Sequence, residues 1–164
     1  MIRTGLGVDS HRFAPGRRLI LGGVEVPYEQ GLAGHSDADV LTHAVIDALL
    51  GAAGLGDIGT HFPDTEAQWM DADSLGLLRD VVATLAAAGW VIGNVDATVL
   101  LERPKLLPHR PAITAALAGA LGVAEDAVNV KATTGEGMGF VGRGEGAAAL
   151  AVATVTRLEP GTAG

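Results

Sequence analysis

Residues 36–54, SDADVLTHAVIDALLGAAG, carry the reading that decides the fold. From Asp39 to Ala53 the apolar positions Leu41, Ala44, Val45, Ala48 and Ala52 recur at helical spacing, with Ser36 or Asp37 as N-cap and Gly54 as the C-terminal stop. The chain ahead of this helix has a different period. Ile2, Thr4, Leu6 and Val8 alternate with Arg3, Gly5, Gly7 and Asp9, which predicts a strand whose second side His11 continues. Between the two, Leu19 to Leu21 and Val24 to Val26 flank Gly22-Gly23 and predict a hairpin that Pro27 ends.

Beyond the helix, Leu55 to Asp73 holds no sustained period and is long for a structureless connection, which makes it a candidate functional loop. A second helix is predicted from about Ser74 to Ala88, closed by Gly89, then a long strand over Trp90 to Leu101 and a helix over Pro111 to Leu121 ended by Gly122. Val128 to Thr133 reads as a buried strand, and Gly142 to Glu145 introduces a last strand reaching about Leu158. Strand, hairpin, helix, helix, strand, helix, strand, strand predicts a single α+β domain over residues 1–159: one mixed β-sheet, helices packed on one face, and a small β-hairpin. The tail Pro160 to Gly164 is expected to be disordered.

A chain of 164 residues with 48% hydrophobic content is the size of one domain, and such a domain buries roughly 70% of its unfolded surface. The formal charge of -8 argues against a nucleic-acid or anionic-membrane partner, since the Lys and Arg residues form no basic run. The absence of cysteine excludes disulfides, thiolate metal sites and cysteine nucleophiles, so any metal must take His, Asp or Glu. No stretch approaches the roughly 20 apolar residues of a membrane span, and the first residues lack a signal-peptide core; a soluble cytoplasmic protein is the expectation.

Asp9 and His11 are two apart, so on an extended chain they leave the same face and can reach one ion, with His43 coming from elsewhere. One carboxylate and two imidazoles suit Zn²⁺ and leave a position for a substrate oxygen. An Asp-x-His at a strand end also suits a plain turn or surface position. His35, Ser36, Asp37 and Asp39 precede the His43 helix, and Asp57 and Asp64 follow it. Asp47, one turn after His43, could orient that imidazole as an acceptor behind the metal. The same residues would also fit an N-cap cluster and a solvated helix face.

Six stretches in order, GVDSHRF, GGVEVPYEQGLAGHSDADVLTHA, LGDIGTHFPDT, ERPKLLPH, NVKATTGEGMGF and GRGEG, cover Gly5 to Gly146. Together they resemble the motif set of the 2-C-methyl-D-erythritol 2,4-cyclodiphosphate synthases, and six motifs in register are far more specific than any one. The resemblance implies conversion of 4-diphosphocytidyl-2-C-methyl-D-erythritol 2-phosphate to a cyclic diphosphate and CMP. It further implies that Asp9, His11 and His43 hold zinc, that Glu136 holds a second cation, Mg²⁺ or Mn²⁺, and that His35 and Thr134 stabilise the transition state. Asp9, His11, His35 and Ser36 would also touch substrate. Asp57, Ile58 and Gly59, with Phe62, Pro63, Asp64, Thr65 and Glu66, match the methylerythritol-binding segments. Leu101, Glu102, Arg103, Pro104, Lys105, Leu106 and Leu107 match a cytidine-binding loop that reads the base mainly with backbone groups. Thr133, Thr134, Gly135 and Glu136 complete the substrate contacts, and Phe140 and Arg143 match residues lining the central cavity of a homotrimer, where an isoprenoid diphosphate can lodge. Each active site would lie between two subunits.

The chain departs from the family pattern in one place. Where relatives usually carry Thr and Lys on either side of the second-metal glutamate, this sequence has Gly135 and Gly137. A hydroxyl and a positive charge are lost there, while the glycines are expected to let backbone amides approach phosphate. The Asp, His, His set would equally serve a zinc phosphodiesterase with water as nucleophile. A non-catalytic metal- or isoprenoid-binding protein is the third reading.

Overall fold

The computed structural model describes residues 1–157. The expected disordered tail, the expected domain end at residue 159 and Leu158 lie outside them. The chain runs β1 (Ile2–Pro15), β2 (Leu19–Leu21), β3 (Val24–Val26), β4 (Gln30–Leu32), α1 (Val40–Ala53), α2 (Ile58–His61), α3 (Ser74–Ala87), β5 (Trp90–Leu100), α4 (Arg110–Leu121), β6 (Val128–Thr133), α5 (Gly139–Gly142) and β7 (Gly146–Arg157). Five strands form one sheet in the order β4-β1-β7-β5-β6, and β2 and β3 make the separate hairpin. Only β5 and β6, joined through α4, run parallel; the other pairs are antiparallel. The expected α+β class, mixed sheet and hairpin are all present.

Helix α1 is apolar nearly all round because it lies between the sheet and α3, with Leu41, Val45, Ile46, Leu49 and Leu50 wholly buried. Each such side chain contributes roughly 1.5–3 kcal/mol over an exposed one. Its seat on β1 depends on two residues without side chains. A Cβ at Gly5 would stand 2.0 Å from the Ala48 carbonyl oxygen, and one at Gly7 1.9 Å from that of Ala44. Helix backbone therefore rests directly on strand backbone, which sets His43 of α1 beside Asp9 and His11 of β1.

This close contact turns the apolar side of β1 away from the helices. Leu6 and Val8 are 63% and 55% exposed, and their cross-strand neighbours on β7, Val152 and Leu150, are exposed as well. The result is an apolar stripe on the free face of the sheet.

Several boundaries differ from expectation. Strand β1 continues to Pro15 because it pairs with β7 as far as Arg12 and then with β4, a strand of three residues too short to show a period. The N-cap of α1 is neither Ser36 nor Asp37 but Asp39, whose Oδ1 accepts from the Thr42 N–H at 3.0 Å. Both Asp39 oxygens also accept from Gly22 and Gly23 N–H, tying the hairpin turn to the helix start. Strand β6 is an edge strand rather than a buried one: Val128 and Val130 face the core while Asn129, Lys131 and Thr133 are exposed. Leu55–Asp73 contains α2 and a short helical turn over Ala67–Trp69, each less than two helical turns long and therefore invisible to periodicity.

Candidate functional site

Asp9 Oδ2 lies 2.8 Å from His11 Nε2 and 3.1 Å from His43 Nδ1, and the two ring nitrogens are 3.4 Å apart. Ligand atoms of a tetrahedral zinc site with bonds of about 2.0–2.1 Å stand about 3.3 Å from one another, so the triangle has the size of one face of such a site. The tautomers agree with it. His11 Nδ1–H donates to the Ala33 carbonyl at 2.8 Å, leaving the Nε2 lone pair for an ion. His43 Nε2–H donates to Ser74 Oγ at 2.9 Å, with Ser36 Oγ also at 3.1 Å, leaving Nδ1. Two imidazole lone pairs and a carboxylate oxygen thus converge on one point, an arrangement that a cation satisfies.

Burial works against the Asp9 charge, but hydrogen bonds from His11 and His43 outweigh it and hold the carboxyl well below the usual carboxylate range. Burial likewise depresses His11, and the Asp9 bond and charge, with Ala33, overcome it to raise the imidazole above its ordinary value. Without a metal, Asp9 thus favours a proton on His11, a proton that a bound cation would displace.

The orienting partner of His43 is not Asp47. Ser74, the first residue of α3, accepts the ring proton and passes its own hydroxyl hydrogen to Asp37, whose other oxygen accepts from the Ser74 N–H at 2.9 Å. No spacing rule could pair residues 31 apart, so this relay was hidden in the sequence. Asp47 Oδ1 instead accepts from the Ile58 N–H at 2.7 Å, because α2 starts within its reach, and burial raises its carboxyl above the usual range. Asp47 holds the Asp57–Gly59 segment to the metal helix. Asp47→Ala should therefore leave zinc content unchanged while KM rises about tenfold, the scale of one lost bond to a carboxylate. Metal analysis with steady-state kinetics checks this, and zinc loss would return Asp47 to the imidazole.

A cavity of about 530 Å³ opens beside the triad, lined by His11, His35, Ser36, His43, Ile58, Gly59, Phe62, Pro63, Asp64 and Thr65. Trp69 and Leu77 close it, with Trp69 packed edge-on against Phe62 at 5.0 Å. Trp69 drew no attention in the sequence, where an aromatic in an aperiodic loop and outside the quoted motifs carries no signal. Asp57 caps α2, its Oδ1 accepting from the Thr60 N–H and hydroxyl, which leaves Oδ2 for a ligand. Glu66 contributes its carbonyl, which accepts from His35 Nε2 at 3.1 Å. With that proton committed, His35 can donate to a ligand only from Nδ1, and only when the ring carries a second proton.

The other predicted residues stand apart from this cavity. A second one, about 270 Å³, is lined by Leu101, Glu102, Pro104, Lys105, Leu106, Leu107, Thr133 and Thr134, and shares no residue with the first. Arg103 lines a neighbouring hollow with Tyr28. Glu136 is not part of the metal-ligand cluster found among the described residues. Thr134 Oγ1 accepts from the Glu136 N–H at 3.2 Å, so its hydroxyl hydrogen can still be donated. Phe140 lines a third cavity of about 580 Å³ with His11, Arg12, Phe13 and Glu145, and Arg143 pairs with Glu145 at 2.9 Å. His11 borders both the first and the third cavity. No described helix is long and apolar enough to cross a membrane.

A carboxylate and two oriented imidazoles on a strand and its covering helix, beside a cavity that His11 and His43 line, define an α+β protein with a triad that could hold a metal ion. The chain belongs to the YgbB family, whose pattern it matches over residues 2–156. It is 64% identical to the 2-C-methyl-D-erythritol 2,4-cyclodiphosphate synthase of Salinibacter ruber, covering 94% of this chain and 98% of that protein. It is 60% identical to the bifunctional enzyme IspD/IspF of Anaeromyxobacter dehalogenans over 95% of its own length, which is 40% of that longer protein. A solved 2C-methyl-D-erythritol-2,4-cyclodiphosphate synthase in its CDP-bound form superposes with a TM-score of 0.86 at 38% identity, over 94% of this chain and all of the other.

Proposed function

We infer that this chain is a 2-C-methyl-D-erythritol 2,4-cyclodiphosphate synthase, converting 4-diphosphocytidyl-2-C-methyl-D-erythritol 2-phosphate to the cyclic diphosphate and CMP for non-mevalonate isoprenoid synthesis. The observation that carries this reading is the Asp9, His11 and His43 triangle at the floor of a cavity rimmed by Ile58, Gly59 and Phe62–Thr65, in a chain so close to named synthases.

In the reaction an oxygen of the 2-phosphate attacks the β-phosphorus, and the bond from that phosphorus to the bridging oxygen breaks. CMP leaves with the electron pair, and no water is consumed. Two anionic ends must meet, so holding them together and offsetting charge is most of the work. Zinc held by Asp9, His11 and His43 would supply Lewis acidity at a phosphoryl oxygen, and Mg²⁺ or Mn²⁺ held by Glu136 would offset the diphosphate charge. His35 and Thr134 each offer a hydrogen to the transferring phosphoryl group. Asp64 accepts from the methylerythritol hydroxyls in the cavity that Ile58 and Gly59 also line, while the 101–107 segment reads the cytosine with backbone groups. Phosphorus NMR of substrate incubated with the protein tests this reading. Equimolar CMP and cyclic diphosphate are expected; a linear hydrolysis product would instead mark a phosphodiesterase, and no turnover a binding protein.

The active unit is a homotrimer with each site shared by two neighbours. Two features of the single chain support this: the metal cavity and the cytidine cavity have no residue in common, and the sheet leaves Leu6, Val8, Leu150 and Val152 bare. A cyclic three-fold ring would cover that stripe and set the second cavity of one subunit against the first of the next. Phe140 and Arg143 would then repeat about the axis, where an isoprenoid diphosphate fits, and the work of such an enzyme suits the cytoplasm.

A further inference from the structure

The glycines that flank Glu136 have amides already engaged. Leu101 extends β5 along β6, its N–H donating to the Thr133 carbonyl at 2.9 Å, and the side chain of Glu102 faces the Thr134–Gly137 loop. Glu102 Oε2 accepts from the Gly135 N–H at 2.8 Å and Oε1 from the Gly137 N–H at 3.3 Å. These two amides, expected to approach phosphate, are therefore held by a carboxylate of the chain itself.

The loop so held is a tight turn. Met138 N–H donates to the Gly135 carbonyl at 2.8 Å, and the two residues between, Glu136 at φ 52° and Gly137 at φ 74°, are both left-handed, as a type I′ turn requires. Glycine adopts this freely; glutamate does so only where its surroundings enforce it. On one side the loop presses on α5: a Cβ at Gly135 would stand 2.6 Å from the Gly142 nitrogen, so a side chain there would drive the two apart. On the other side the Glu102 carboxylate grips the amides before and after Glu136. Bonds to a charged acceptor are roughly twice as strong as neutral ones.

We propose that Glu102 is a positioning residue whose carboxylate clamps the Gly135 and Gly137 amides, fixes the turn that presents Glu136, and so couples the cytidine segment to the affinity for the second cation. The proposal rests on the roles given above to Glu136 and to residues 101–107. The backbone of Glu102 lies in the segment that reads the base, so one side chain joins nucleotide and cation recognition.

The test measures Mn²⁺ binding to the protein saturated with CDP, by the EPR signal of free Mn²⁺, for the wild type, Glu102→Gln and Glu136→Gln. An amide at 102 keeps at most one acceptor for two N–H donors. Glu102→Gln should weaken Mn²⁺ binding about tenfold, with zinc content and oligomer mass unchanged, and the amide proton resonances of Gly135 and Gly137 should move upfield. If Glu136→Gln weakens Mn²⁺ but Glu102→Gln does not, the clamp is overturned and the role of Glu136 stands. If neither variant changes Mn²⁺ affinity, the role of Glu136 falls and the clamp with it. A Glu102→Gln protein that merely melts earlier, with wild-type Mn²⁺ affinity and unmoved glycine amides, also overturns the proposal.

Discussion

His43→Ala should lose zinc and, with it, turnover by at least about 10³-fold, since Lewis-acid stabilisation is worth several kcal/mol and each 1.4 kcal/mol is tenfold. Asp9, His11 and His43 are the three side chains grouped to hold a metal among the described residues, so the loss of one should not be made good by a fourth. The deletion also leaves Ser74 Oγ without the ring proton it accepts, although Asp37 still takes the Ser74 hydroxyl hydrogen, so the helix junction keeps its anchor. Metal analysis after dialysis checks the first effect and product formation the second; zinc retained at one per subunit would move the ligand elsewhere. Acid should mimic the substitution. Both rings must be neutral to bind metal, so zinc leaves as pH falls through the imidazole range near 6.5. Because Asp9 raises the His11 value, proton competition there begins at a higher pH than for a free imidazole. The metal-free fold has the opposite preference: the Asp9–His11 pairing contributes its full stability below the unfolded imidazole value and loses it as pH rises through the raised folded one.

Thr134→Val or His35→Ala should lower kcat by roughly 10²- to 10³-fold, the scale for removing one preorganised donor to a developing charge, with zinc content unchanged. Thr134→Val is the cleaner probe, because it removes the hydroxyl at nearly constant volume. It also deprives the Glu136 N–H of its acceptor, so a raised metal requirement would accompany the loss. His35→Ala also removes the bond from Nε2 to the Glu66 carbonyl, which ties the ring to the 62–66 segment. A loss confined to KM would assign either residue to ground-state contacts.

The fold was legible where side chains follow a period. The β1 alternation, the apolar run of α1 and the Gly22-Gly23 hairpin all have local causes, and all three elements are present. Elements held by partners far along the chain were not: β4 has only three residues, and α2 is a single turn kept in place by Asp47 and Asp57. The convergence of Asp9, His11 and His43 was legible because Asp9 and His11 share a strand face and the family resemblance adds His43 to them. Their supports were not, since Ser74 and the Ala33 carbonyl reach the imidazoles through tertiary packing alone. Asp47 shows the hazard of helical spacing taken by itself: one turn from His43, it faces Ile58. Gly135 and Gly137 are the sharper case. Their freedom is used to build a turn around Glu136, and their amides go to Glu102.

The central claim, that one active site needs two subunits, is tested most directly by mixing inactive partners. His43→Ala spoils the metal cavity and Thr134→Val the loop of the second cavity, two faults on residues that share no cavity within one chain. In a three-fold ring with heterologous interfaces, equal amounts of the two variants under conditions of subunit exchange should restore about a quarter of wild-type activity, since every mixed trimer contains one interface with both halves intact. If the subunits demonstrably exchange and the mixture stays as inactive as its parents, each site lies within a single chain and the claim fails.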